Sequence, residues 1–412
     1  MSVILYNISL RIYRIGILVA SFFNEKAKAW LQGRRNIFKR IKNEVKTNQK
    51  LVWFHCASLG EFEQGRPVIE AFKDKFPEYN VFLTFFSPSG YEARKNYSKA
   101  DYVYYLPMDS KRNAKKLISL IRPEMVFFVK YEFWYHYLKT LHENNIPVYL
   151  ISGIFRKGQV FFRNYGGWYK EFLEYFTYLF VQDEQSKALL NKNGFSNVMV
   201  SGDTRFDRVL NISSSMEVYD EIETFKNKEL LIIGGSTWPK DEELLIHYIN
   251  HSLDNIKWII APHEVSKSHV DDILYNLTKP AIRYSQTENS DLTEFNVLII
   301  DNIGMLSCLY RYAEIAYIGG GFGKGIHNIL EAAVFSIPVV FGPNYKKFSE
   351  AVQLKKINGA FVIHHYREFK SIMDKLIYNR QYRKSCGNIA GSYVTNNIGG
   401  TDKIISHISR HS

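Results

Sequence analysis

The residues best suited to chemistry gather between Tyr317 and Pro343, in YIGGGFGKGIHNILEAAVFSIPVVFGP. Five glycines (Gly319, Gly320, Gly321, Gly323, Gly325) precede His327 and Asn328, and Glu331 follows one helical turn later. Glycines let a backbone approach a ligand, and a helix start offers unpaired N–H groups and a positive dipole end to a phosphate. On a helix, His327, Asn328 and Glu331 can face one pocket. A carboxylate placed there can accept both hydroxyls of a ribose. The glycine turn alone fits tight packing equally well; the acid one turn beyond it makes a nucleotide-sugar site the favoured reading.

The elements that must hold these residues form a βαβ unit. An apolar strand at 316–318 leads through the glycine turn into a helix of about ten residues, then into a second strand at 338–341. Further strands are expected at 230–233, 258–261 and 297–300, with helices at 240–251 and 305–311. Upstream, strands are expected at 50–56, 81–85, 102–106, 125–129, 148–151 and 179–182, separated by helical stretches. Both halves therefore read as doubly wound parallel sheets. Ligands of such sheets bind outside the carboxyl ends of the strands, and Glu61, Ser87, Glu132 and Ser152 fall on that rim in the first half. The polar stretch 211–228 is the expected linker, giving a basic helical segment at 1–48, a first domain at 49–210 and a second at 229–412, whose last helices from 369 onward can cross back to the first. A dehydrogenase would carry GxGxxG after its first strand with an acid about twenty residues on; neither half does, which argues against a nicotinamide cofactor.

Composition narrows the partners. The 412 residues suffice for two α/β domains, and 46% apolar with 23% charged residues is ordinary for a globular chain. Three widely spaced cysteines and twelve histidines without a ligand-like spacing indicate neither a disulfide framework nor a metal site. The net charge of +12 is concentrated: residues 1–50 hold eleven Lys/Arg against two acids, and so carry nine of those charges. A nucleic-acid binder would spread its charge over a folded face. Residues 3–23 are apolar but interrupted by Arg11 and Arg14, at a cost of roughly 5–7 kcal/mol for a spanning helix. On a helix, Ile4, Ile8, Ile12, Ile15, Val19 and Phe22 share one face, and Asn7, Arg11, Arg14 and Ser21 another. That pattern, with the basic run that follows, predicts an in-plane amphipathic anchor on an anionic membrane surface. A signal peptide and a plain docking helix are the other readings. The positive flank puts the body on the cytoplasmic side.

Several motifs, in order, carry a family resemblance. They are S-x-G-E at 58–61, SPSGYE at 87–92, YLPMD at 105–109, YEFW at 131–134, GDTRFD at 202–207, GGSTW at 234–238, APHE at 261–264 and GGGFGKGIHNILEAA at 319–333. Together they resemble the 3-deoxy-D-manno-octulosonic acid (Kdo) transferases of lipopolysaccharide synthesis, over about residues 1–400. The resemblance implies a GT-B glycosyltransferase: two Rossmann-like domains facing a central cleft, with an amino-terminal membrane-anchoring helix. It further implies transfer of Kdo from CMP-Kdo to the lipid A precursor lipid IVA, with inversion and with no metal or cofactor. The expected place of work is the cytoplasmic face of the bacterial inner membrane.

By position, the resemblance makes Glu61 the general base toward the acceptor hydroxyl, a role the chemistry needs because an alcohol is a poor nucleophile. On spacing alone, Glu61 reads equally as a carboxylate favoured by a helix start. Glu132 and Arg205 match positions that steady the transition state; a carboxylate paired with Lys130 and a surface ion pair are their plain alternatives. Arg205 stands where lysine is common in the family. CMP would meet Pro262, His263, Ile303, Gly304, Met305, Asn328, Ile329, Leu330 and Glu331. Two departures stand out. An arginine expected beside Pro262-His263 is missing, with Lys267 or Lys324 as replacements, and an expected asparagine-arginine pair near 151–156 is absent, leaving Arg156. Another GT-B transferase using a UDP-sugar, or a non-catalytic membrane-associated glycan-binding protein, would share much of this pattern.

Overall fold

A computed structural model describes residues 3–411 apart from 47, 165, 215–217, 253, 254 and 289. The chain divides into two units, Met1–Arg208 with Ile398–Ser412, and Val209–Asn397. In the first, seven strands form one parallel sheet: β1 (Leu51–Cys56), β2 (Asn80–Phe85), β3 (Tyr102–Tyr105), β4 (Met125–Val129), β5 (Val148–Gly153), β6 (Tyr178–Val181) and β7 (Val198–Val200). Their order is β3-β2-β1-β4-β5-β6-β7. Covering both faces of a parallel sheet requires near-continuous apolar strands, and every residue of β1 is buried. Leu51 and Trp53 point into one core, with Ile37 and Ile41, while Val52, Phe54 and Cys56 point into the opposite one. The sheet reverses its winding between β1 and β4, where a crevice opens at the strands' carboxyl ends.

The second unit repeats this plan with β8 (Leu230–Thr237), β9 (Ile256–Pro262), β10 (Ala281–Arg283), β11 (Val297–Ile299), β12 (Ile315–Ile318), β13 (Val339–Phe341) and β14 (Ala360–Val362). All pair in parallel in the order β10-β11-β9-β8-β12-β13-β14, so its winding reverses between β8 and β12. The three strands absent from the sequence pattern, β7, β10 and β14, are three-residue edge strands. They are too short for any periodicity to register.

Four features bear on the sequence expectation. Residues of the basic segment belong to the first unit's core, since Ile37, Ile41 and Val45 are buried there. The stretch expected as a linker includes a helix, Asp220–Lys226, whose Ile222 and Phe225 are fully buried. The helix Gly400–His411 packs with the first unit: Ile404, Ile405 and Ile408 join Phe62, Val68, Ile69 and Phe72 of the helix Leu59–Lys75 in one core. Finally, the helix after the glycine turn is one turn long, Leu330–Ala333, in place of about ten residues. Gly320 (φ +86°) and Gly325 (φ +139°) hold the preceding loop outside helical space, and Ser336 (φ +58°) ends the turn.

The helix Val3–Ala20 has two unlike sides. On one, the Tyr6 hydroxyl donates to Asp109 at 2.6 Å, the Asn7 amide oxygen meets His136 Nε2 at 2.7 Å, and the Tyr6 ring contacts Tyr135, Trp168 and Phe172. On the other, Ile4, Ile8, Ile12, Ile15 and Val19 are exposed, and Phe22, just past the helix end, is 78% exposed. The helix thus docks and presents an apolar face at the same time. It is long and apolar enough to cross a membrane by length and composition.

Candidate active site

In the first unit, Glu61 and Glu132 follow neighbouring strands, β1 and β4, at the winding reversal. Glu61 lies half-buried in the first turn of the helix Leu59–Lys75 and receives a hydrogen bond from the Ser58 hydroxyl. Serine three residues ahead of a glutamate at a helix start is the sequence signature of reciprocal capping; here the two side chains bond each other instead. The buried Cys56 thiol is raised well above its ordinary pKa, first by burial and then by the charges of Glu61, Glu132 and Glu63.

Glu132 is 9% exposed and firmly held. Its Oε2 accepts the Trp134 indole N–H at 2.6 Å and lies 2.9 Å from His55 Nε2. The other ring nitrogen, His55 Nδ1, stands 2.9 Å from Thr84 Oγ1 and 3.2 Å from the Thr84 carbonyl. Thr84 in turn accepts from the Trp53 indole at 2.8 Å. The Trp134 indole nitrogen also lies 3.3 Å from His55 Nε2, so imidazole, indole and carboxylate form one cluster. Lys130, at φ +67°, turns the chain at the end of β4 and sets Glu132 back toward β1. His55, Thr84 and Trp134 escaped the sequence reading, although a histidine inside the apolar run of β1 is itself a signal of a buried polar partner.

Arg205 begins the helix Arg205–Ser213 and folds back on the nearly buried Asp203, with Nη2 at 2.6 Å and Nε at 3.0 Å from Oδ2. Its motif also ties the unit together. Thr204 bonds the Gln64 carbonyl and Ser152, while Asp207 accepts the N–H groups of Gly399 (2.6 Å) and Thr401 (2.7 Å) at the start of the helix Gly400–His411. Arg156 is exposed, and its charge reaches the Tyr131 hydroxyl.

In the second unit, three rings converge from three strand ends. Trp238 follows β8, His263 follows β9 and His327 lies on the loop after β12. Trp238 stacks on His263 with centroids 4.6 Å apart, and His263 lies 4.6 Å from His327. The Trp238 indole N–H donates to His327 Nε2 at 3.1 Å. Burial, then the charge of His263, pushes His327 down to about 4, so its ring is neutral at pH 7 and accepts that hydrogen bond. The loop is fixed by Asp241, which accepts from Trp238 N (3.0 Å), Gly320 N (2.8 Å) and the Tyr317 hydroxyl (2.7 Å). A side chain at Gly319 would lie 2.3 Å from the Ser236 carbonyl, which is why the turn can run so close to β8.

Asn328 and Glu331 meet as the spacing predicts: the Asn328 amide donates to Glu331 Oε1 at 3.0 Å, and its Oδ1 accepts Leu330 N–H at 3.2 Å. Asn328 thus caps the short helix and orients the acid, which faces the buried Tyr310 hydroxyl. Ile329 and Leu330 are buried in the core, so only their main-chain atoms can meet a ligand. Pro262 ends β9. On the loop after β11, Ile303 is 88% exposed, Gly304 has φ +113° and Met305 is buried. Lys347 reaches the glycine turn, where its Nζ donates to the Lys324 carbonyl at 2.5 Å. Stacked rings, glycine backbone and an oriented carboxylate can bind a nucleotide through base, phosphate and ribose.

The chain is similar to known proteins in sequence and in fold. Residues 32–208 match the family of 3-deoxy-D-manno-octulosonic-acid transferases (kdotransferases). The 3-deoxy-D-manno-octulosonic acid transferase of Chlamydia trachomatis is 27% identical over 338 residues, covering 76% of this chain and 74% of that one. Its counterpart in Rickettsia bellii is 28% identical over 310 residues, 73% of this chain and 72% of that one. A bifunctional glycosyltransferase/methyltransferase of Fusobacterium nucleatum is 25% identical across 90% of this chain, which spans only 58% of that larger protein. Among solved structures, the UDP-GlcNAc 2-epimerase of Neisseria meningitidis shares the fold with a TM-score of 0.59 at 15% identity, over 88% of this chain and all of that one. Acinetobacter baumannii MurG does so at 0.54 and 13%, over 88% and 99%. The two carboxylates at the winding reversal lie inside the matched domain, and along about three quarters of its length the chain is similar to Kdo transferases.

Proposed function

We propose that the protein transfers Kdo from CMP-Kdo to a hydroxyl of the lipid A precursor, lipid IVA, with inversion, at the cytoplasmic face of the inner membrane. What supports this is the pairing of Glu61 and Glu132 on adjacent strand ends at the point where such sheets take ligands. Glu61 takes the proton of the attacking acceptor hydroxyl as the new bond to the anomeric carbon forms and the bond to CMP breaks. Glu132, locked by His55 and Trp134, cannot swing away and presents a fixed charge distribution to that event. Arg205 offers positive charge to the departing phosphate, tempered by Asp203. In the second unit the Trp238–His263–His327 rings, Glu331 and the loop at Ile303–Met305 would hold CMP. No cofactor enters this scheme. The exposed apolar face of Val3–Ala20 supports an interfacial position near a lipid acceptor.

The test is to incubate the protein with CMP-Kdo and lipid IVA and weigh the lipid products. Mass gains in steps of one Kdo residue are expected. Protection from thermal unfolding by CMP but not UDP is expected alongside. Protection by UDP alone, with no mass gain, would favour a UDP-sugar enzyme of the same fold.

A further inference from the structure

The first unit holds a cavity of about 700 Å³ away from the strand ends just described, walled by the helices Val3–Ala20, Glu25–Gly33 and Ile37–Glu44 and by the segment from Pro107 to Lys116. Five cations line it, Arg14, Arg34, Arg35, Lys39 and Lys116, and no acid does. Arg34 is part of the wall. Its guanidinium lies 3.8 Å over the Trp30 ring and donates to the carbonyls of Trp30, Leu106 and Phe86. Burial lowers it to about 9, yet no carboxylate neutralises it. Lys116 rests on the Phe38 ring. The side chains of Arg14, Arg35 and Lys39 have no hydrogen-bond or ion-pair partner among the described residues. Uncompensated like charges around one cavity repel one another, so the arrangement is favourable only with an anion inside.

The position of the cavity selects the anion. Arg14 projects into it from the same helix whose Ile12 and Ile15, on either side in sequence, are 64% and 61% exposed. If that face lies in the bilayer, as the proposed function holds and on which this step rests, the cavity opens at headgroup depth. There the available anions are lipid phosphates. Arginine forks match phosphate oxygens, and five cations attract a dianion more strongly than a monoanion. We infer that this cavity is a binding site for a phosphomonoester headgroup of a bilayer-resident lipid.

The experiment uses the full chain and vesicles of phosphatidylcholine containing charge-matched amounts of either phosphatidic acid, a phosphomonoester, or phosphatidylglycerol, a diester. Wild type should bind the phosphatidic acid vesicles about tenfold more tightly. The cavity variant Arg35→Gln/Lys39→Gln/Lys116→Gln should lose that preference. A control removing three exposed charges from the same basic segment, Lys26→Gln/Lys28→Gln/Lys42→Gln, should weaken both vesicle types by a similar small factor and keep the preference. Equal binding of both vesicles by wild type, or equal loss of preference in both variants, would mean a diffuse basic surface and overturn the site. Competition separates the sources: dihexanoyl phosphatidic acid should release the protein at far lower concentration than inorganic phosphate. Equal potency would overturn the lipid assignment. Kdo transfer to detergent-dispersed acceptor, measured in parallel, keeps the two readings apart. A variant that loses the preference and retains transfer speaks only to the cavity, whereas a wild type without transfer that keeps the preference speaks only to the catalytic reading.

Discussion

Removing His55 tests whether Glu132 is held as described. The imidazole is fully buried between Thr84 and a carboxylate whose side chain is 11% exposed. His55→Ala leaves that carboxylate with the Trp134 N–H but without the imidazole it bonds. Breaking a buried pair from one side costs about 3–5 kcal/mol. For a unit of this size each kcal/mol lowers Tm by roughly 2–4 °C, so a fall of roughly 6–20 °C is expected. Glu132→Ala should cost a similar amount, because it strands the imidazole. The double variant should cost clearly less than the two together, since each residue is unfavourable chiefly when left alone. The assay is urea unfolding followed by circular dichroism on all four proteins, giving the coupling energy directly. Single changes that add to within about 0.5 kcal/mol of the double, or a His55→Ala protein that melts within about 2 °C of wild type, would refute the coupled pair.

Glu61→Gln should lower turnover by roughly 10²–10⁴-fold while CMP binding, read by calorimetry, stays nearly unchanged; more than a tenth of normal turnover would remove it as the base. Glu331→Ala should weaken CMP binding by about 1.5–3 kcal/mol through loss of charge-assisted hydrogen bonds, and equal CMP affinity in the two proteins would take it out of the site. Burial raises Asp109 from its ordinary value to about 6, so the folded state holds that proton more tightly than the unfolded one. Its contribution is full below about pH 4 and lost as pH rises through about 6. The stability difference between wild type and Asp109→Asn, followed by urea unfolding, should shift by on the order of 3 kcal/mol against wild type across that window. Replacing Ile4, Ile8, Ile12 and Ile15 with serine should cut vesicle binding at least about tenfold without lowering Tm, since all four are exposed. Deleting the helix outright is a poorer test, because it strips Asp109 of Tyr6 and His136 of Asn7.

The sheets were legible because buried parallel strands are unbroken apolar runs, and eleven of the fourteen strands stand out that way, β4 at its observed bounds. Glu61 and Glu132 were legible as residues just past such runs, and Asn328 with Glu331 as neighbours by spacing. What defied reading depended on contacts distant in sequence. Lys130 follows Glu132's strand and looked like its partner, whereas the residue that holds it, His55, is 77 positions away. The aromatic stack joins Trp238, His263 and His327 from three different strand ends, so spacing could not show that they meet. The helix after the glycine turn has suitable residues for ten, but two glycines and Ser336 in left-handed space cut it to four.

The return of residues 400–411 to the first unit has a consequence for biosynthesis. Ile404, Ile405 and Ile408 are 0%, 9% and 0% exposed, and at about 1.5–3 kcal/mol each their burial contributes roughly 5–9 kcal/mol, comparable to the whole stability of an ordinary domain. A ribosome delivers residues 1–208 first, yet that polypeptide lacks the helix that seals its sheet until the intervening 209–397 have been made. The second unit, contiguous in sequence, can fold during translation while the first waits with an open apolar face. The nascent chain therefore needs shielding for most of its synthesis, and a ribosome that stalls before Gly400 releases a protein whose second unit is complete and whose first is not.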